Sequence, residues 1–153
     1  MSNEQKMTHA HGRNKKWKGG EFILETLIMS DTDSILTSIK KMIGPSVDNT
    51  YFDSDIMTHI NTVFMELQQL GAGPENGFFI EDKNAVWTDF MQSSTLLNSI
   101  KTFMYLKVKL IFDPPSSTAA IDSINRIIDK LEWHINDQAE RLDNREIPKE
   151  ERW

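Results

Sequence analysis

FDSDIMTHINTVFMELQQLGAGPENGFFIEDKNAVWTDF, Phe52 to Phe90, holds the choice on which the fold turns. Its first half is helical: Ile56, Ile60, Val63, Phe64 and Leu67 recur at three- and four-residue steps and lie on one face. Asp53 stands where an N-cap belongs and Asp55 in the first turn, where the helix dipole favours acid, while Gly71 ends the run. The second half is different. GFFI and AVW flank EDKN, two short β-prone runs around a polar turn, and could form a two-stranded hairpin. A lone hairpin is marginal, so Phe78, Phe79 and Trp87 are expected to pack on helices or on another molecule. Long connections in compact domains are usually functional, which makes these three aromatics candidates for an intermolecular surface. The alternative is that the connection lids the chain's own core.

Outward from this stretch the period stays helical. Before it, Asp31 or Asp33 is expected to cap a helix carrying Ile35, Leu36, Ile39, Met42 and Ile43 on one face, stopped by Gly44 and Pro45. After it, Ser93 or Ser94 should start a helix with Leu97, Ile100, Met104, Val108 and Ile111 inward, ended by the DPP at Asp113 to Pro115. A last helix, from Ser116 or Ser117, places Ile121, Ile124, Ile128, Leu131, Ile135, Gln138 and Leu142 along one stripe and is long enough to outrun a small bundle. The sum is an all-α protein: a small bundle of three to four helices, with a long loop or β-hairpin between helices two and three and a long C-terminal helix. Residues 29–142 form the helical domain, preceded by a basic arm, residues 1–28, and followed by a charged tail, residues 143–153.

The arm reverses the charge of the rest. Met1 to Gly20 holds Lys6, Arg13, Lys15, Lys16 and Lys18 against Glu4, whereas the whole 153-residue chain has a formal net charge of −6. Its basic run before FILETLIM imitates a secretory signal, but the apolar stretch is short, contains Glu25 and lacks a small-residue cleavage site. Lys18 to Glu21 and Leu24 to Glu25 could be encoded by purine-rich ribosome-binding sequence, which suggests a translated leader with a functional start at Met29. The intact mass of protein from its native source tests this hypothesis: a mass corresponding to the whole chain would overturn it.

The acidic balance argues against a protein that grips a duplex through clustered Lys and Arg, and points to protein partners. Lys101, Lys107 and Lys109 fall largely off the apolar stripe of the third helix and are expected to form a solvated face. The sequence has no cysteine, which removes disulfide frameworks, thiolate metal sites and cysteine nucleophiles. No stretch approaches the roughly 20 apolar residues of a membrane-spanning helix. His9 and His11 lie in the arm, and His59 and His134 lie on different helices without a carboxylate at ligand spacing, so no metal site is expected. The paired acids Asp31 with Asp33 and Asp53 with Asp55 occur where caps call for them. GAGPENG precedes no helix that could receive a phosphate, and nothing resembles a nucleophile elbow. No catalytic residue and no cofactor are expected.

DSILTSIKKMIG, then FDSDIMTHINTVFMELQQLGAGPENGFFIED with WTDF, and KTFMYLKVKLIFDPPSS leading to LEWHIN, resemble in order the head-tail connector (adaptor) proteins of long-tailed double-stranded DNA phages and prophages of Gram-positive bacteria. The likeness covers Met29 to about Glu140, and the arm before Met29 departs from it. The resemblance implies a virion protein of the neck, between capsid and tail, made in the bacterial cytoplasm. It implies subunits that join in a ring, usually dodecameric, beneath the portal, extend the DNA channel without sequence-specific binding, and offer a platform to the stopper or head-completion protein. Portal contact falls, by position, on the end of the last helix and the tail, including Arg141, Ile147 and Trp153. In such a ring Phe78, Phe79 and Trp87 would supply a contact between neighbouring subunits. The residues read without the resemblance fit a second function as well, a small helical protein-binding regulator with no place in a virion.

Overall fold

Ser34, rather than Asp31 or Asp33, caps the first helix: its Oγ accepts from the Thr37 N–H at 3.2 Å, and α1 runs Ile35–Ile43. Gly44 ends it in a left-handed conformation at φ 115°, a region open to glycine without a Cβ clash, and returns its N–H to the Lys40 carbonyl. The computed structural model describes residues 29–146 and residue 150. The chain divides after Ser30, and the elements described here belong to the unit Asp31–Trp153. The basic arm of residues 1–28 lies outside the described residues.

The second helix, α2, spans Asp53–Gln69 and buries all five residues of its expected stripe, Ile56, Ile60, Val63, Phe64 and Leu67. Phe52 occupies the N-cap position and offers no side-chain acceptor. Asp53 is thus the first helical residue and not the cap, and its carboxylate turns instead to Lys40 on α1 at 2.6 Å. A four-residue turn of helix, α3, covers Trp87–Phe90. Ser94 caps α4, Thr95–Phe112, accepting from the Leu97 N–H at 3.1 Å. The last helix, α5, covers Thr118–Glu146, 29 residues or about 43 Å at the helical rise, and continues four residues past the expected edge of the tail.

α4 is the centre of the packing. It touches α1, α2 and α5, whereas α5 packs mainly on α4 alone. Leu96, Leu97, Ile100, Phe103, Met104 and Val108 of α4 are all buried. Ile111, in the last turn, is not: it is half exposed, against the inward position its spacing predicts. Along α5, Ile128, Ile135 and Ala139 are buried, Ile121, Ile124, Leu131 and Gln138 of the expected stripe are half-buried, and Leu142 is nearly half exposed, since a helix resting on one neighbour covers a narrow stripe.

The connection between α2 and α4 is a loop, not a hairpin. GFFI finds no strand partner because α2 supplies one: the Asn61 side-chain amide donates to the Ile80 carbonyl at 2.9 Å and accepts the Ile80 N–H at 2.8 Å. AVW pairs elsewhere, through an isolated antiparallel bridge of Val86 with Ser34 and a bond from the Ile35 N–H to the Ala85 carbonyl. With its backbone groups satisfied this way, the segment has no need of a ladder. Gln68 anchors the loop's start by donating to the Glu75 carbonyl. Gly73, at φ 94°, sits so close to Phe90 that a Cβ would come within 2.6 Å of its Cζ, and only glycine fits there.

Candidate interaction surfaces

Two buried lysines fix the frame on which the surfaces sit. Lys40 is 2% exposed, and its ammonium donates to the carbonyls of Val47 and Asn49 at 3.0 and 2.8 Å while pairing with Asp53. All three of its donors are engaged, so the cation is held where desolvation would otherwise expel it. Lys101 pairs with Asp31 and stands 5.8 Å from the centre of the Trp87 ring. It is buried, not part of a solvated face, because its partner arrives from the segment before α1. The hydrogen bond from Lys101 holds the Asp31 carboxyl below the usual carboxylate range, helped by a hydrogen bond from Ser93 and opposed by burial. Lys107 pairs with Glu66 on α2 at 2.6 Å, and Lys109 with Asp113.

Trp87, Phe78 and Phe79 occupy three different environments. Trp87 is fully buried and donates from Nε1 to Ser38 Oγ at 3.3 Å, so it roots the loop in the bundle. Phe78 is half-buried and forms an edge-on aromatic triad with Phe64 and Phe90, at 4.9 and 5.4 Å between centroids. Phe79 points out, 65% exposed. Met65, 64% exposed, lies on the helix face between the two loop anchors, Asn61 and Gln68, at four- and three-residue steps. Of the three aromatics, Phe79 alone is offered as a large exposed ring.

Apolar exposure recurs at two other places. Tyr51, Phe52 and Phe112 form a chain of edge-on rings at the end of α4, with Tyr51 and Ile111 exposed beside it. On α5, Trp133 is 70% exposed and Ile127 nearly half exposed, separated by the stem of Lys130. The sequence did carry a signal for Trp133: it falls about 160° around the helix from Ile135 and about 140° from Ile128, off the apolar stripe, where an aromatic has no core to fill.

Arg141, on the exposed flank of α5, is held by Asp137 through Nε at 2.9 Å. Ile147 and Trp153 lie outside the described residues. A groove of about 760 Å³ opens between the end of α2 and α5, lined among others by Leu70, Gly71, Met91, Ala139, Glu140 and Asp143. Asn136 bridges its floor by donating to the Leu70 carbonyl. Neither the groove nor the described remainder gathers three or more potential metal-ligating side chains, and His134 is in contact with Gln138. Among the described residues no helix is long and apolar enough to cross a membrane. The described residues thus leave large apolar side chains exposed at several separate places.

A family model described as phage connector protein matches residues 35–142, from the first residue of α1 to near the end of α5. No curated protein and no solved structure matches the chain significantly.

Proposed function

The chain belongs to the phage connector protein family, and on that premise we propose that it is the adaptor of the neck: a subunit that joins copies of itself in a ring below the portal. The family assigns it a structural role at the head-tail junction of a virion, in contact with other head and tail proteins. In the finer reading the ring, taken as dodecameric, extends the DNA channel and gives the stopper a platform. The portal is met by the end of α5 and the tail, through Arg141, Ile147 and Trp153.

The observation that carries this reading is the span of the family match, which runs from the start of α1 through most of α5. Its physical support is the division of labour in the fold. A rigid centre, α4, is enclosed by its own helices, while large apolar side chains stay exposed at separate places on the periphery: Tyr51, Met65, Phe79 and Trp133. A subunit that meets several neighbours at once needs separate faces, and these side chains offer places for them. The net charge of −6 suits a wall past which phosphate slides without exchanging counterions. A nonsense mutation in the reading frame tests the proposal in the phage. It should yield filled heads and free tails that do not join, and normally tailed particles lacking this chain would overturn it.

A further inference from the structure

Asn76 and Gly77 form a pair that occurs once in the chain: of its ten asparagines, Asn76 alone is followed by glycine. The fold requires that glycine. Gly77 sits at φ 84°, and a Cβ there would come within 2.9 Å of Gln68 Oε1. Asn76 is exposed in the turn from Pro74 to Gly77, and its side chain makes no hydrogen bond among the described residues. The other described asparagines are occupied. Asn49, Asn61, Asn84 and Asn136 hold hydrogen bonds through their side chains, while Asn98, Asn125 and Asn144 lie in α4 or α5, whose ladders engage the N–H that follows them.

We propose that Asn76 is a site of spontaneous covalent modification, with Gly77 supplying the nucleophile. The Gly77 nitrogen, giving its proton to hydroxide, attacks Asn76 Cγ; the Cγ–Nδ2 bond breaks, ammonia leaves, and a five-membered succinimide closes. Water then opens the ring at Cγ to give aspartate, or at the main-chain carbonyl carbon to give isoaspartate. The net change is water taken up and ammonia released, with no oxidation. Glycine leaves the attacking nitrogen unshielded by a side chain, and closure within one chain needs no encounter between separate reactants. The fold brakes the step. The Gly77 N–H donates to the Pro74 carbonyl at 2.9 Å, and Gln68 Nε2 pins the same turn by donating to the Glu75 carbonyl at 3.0 Å. The turn must open before the nitrogen is free to attack. The product sets a carboxylate next to Glu75, which lines the groove together with Glu140 and Asp143. Isoaspartate also adds a methylene to the main chain between Glu75 and Ile80, the two points at which α2 holds the loop. This inference is independent of the connector reading.

The test incubates the full chain in mildly alkaline buffer and follows it by peptide mass mapping, which reads the exchange of an amide NH2 for OH and separates aspartate from isoaspartate by elution. The gain should appear first on the peptide holding Asn76, as both isomers, and should quicken with hydroxide concentration. Asn76→Gln lengthens the side chain at an exposed position, so that a five-membered ring can no longer close; it should end the reaction at this site and leave the circular dichroism unchanged. Gln68→Ala loosens the turn and should speed the reaction several times, toward the rate of the chain unfolded in urea. A folded chain whose other asparagines convert as fast as Asn76, or whose Asn76 stays intact while it converts in urea, would overturn the proposal. A Gln68→Ala variant no faster than the parent would overturn the part assigned to the turn.

Discussion

Lys40 Nζ and Asp53 Oδ1 lie 2.6 Å apart and tie the last turn of α1 to the first residue of α2. The same ammonium accepts no alternative site in water, since Lys40 is 2% exposed, and among the described residues Asp53 Oδ1 has no hydrogen-bond partner besides this ion pair. Removing the cation leaves a mostly buried carboxylate and two carbonyls without their donor. Lys40→Ala should therefore destabilise the fold by about 3 kcal/mol. Asp53→Asn should lose clearly less, because Lys40 keeps the Val47 and Asn49 carbonyls. Urea unfolding followed by circular dichroism compares the two; equal losses would contradict the account of Lys40 as the hub.

Asp31 and Lys101 make stability depend on acid. The folded-state carboxyl of Asp31 is depressed, so its contribution is whole above the usual carboxylate range and is lost as pH falls through that range toward the depressed value. Asp31→Asn should flatten this part of the stability profile and, by stranding the buried Lys101 ammonium, lower stability at neutral pH. Chemical denaturation at a series of pH values from acid to neutral reads both effects; an unchanged acid limb would refute the assignment.

The loop aromatics should separate by role. Trp87→Ala removes a fully buried indole and should destabilise by roughly 3 to 5 kcal/mol. Phe78→Ser should also destabilise, through loss of the triad with Phe64 and Phe90. Phe79→Ser should leave the melting temperature of the monomer nearly unchanged and weaken assembly. Thermal melts paired with light scattering distinguish them, and a Phe79→Ser variant that unfolds like Trp87→Ala would return Phe79 to the core.

Much of this architecture is legible in the amino-acid order, and the parts that are not share a cause. The stripe of α2 can be read residue by residue because a helix with one buried face writes that face into its period. α1 and α4 are legible for the same reason, save at Ile111, which is half exposed in the last turn of α4. The buried lysines are invisible, because burial of a cation depends on partners such as Asp31, 70 positions from Lys101 in the chain. The β-prone run at Phe78 to Ile80 misleads in a similar way. Its backbone partner is a side-chain amide, Asn61, on a helix whose pattern reveals nothing of that bond. Of the contact surface, an aromatic cluster can be located from sequence, but the division of Phe79 outward from Phe78 and Trp87 inward is set by tertiary packing.

The channel of the proposed ring should be acidic. With 23 Asp and Glu against 17 Lys and Arg in the chain, acids are expected to outnumber bases on the surface that faces DNA. Electron microscopy of the ring on the portal reveals the lumen directly, and a predominantly basic lumen would refute the expectation.

On the proposed function this chain joins a portal. Size-exclusion chromatography with light scattering, on the full chain alone and mixed with the portal protein of the same genome, tests it most directly. Comigration as one large complex with near-equal subunit numbers is expected. A chain that stays small and separate from an assembled portal would contradict it.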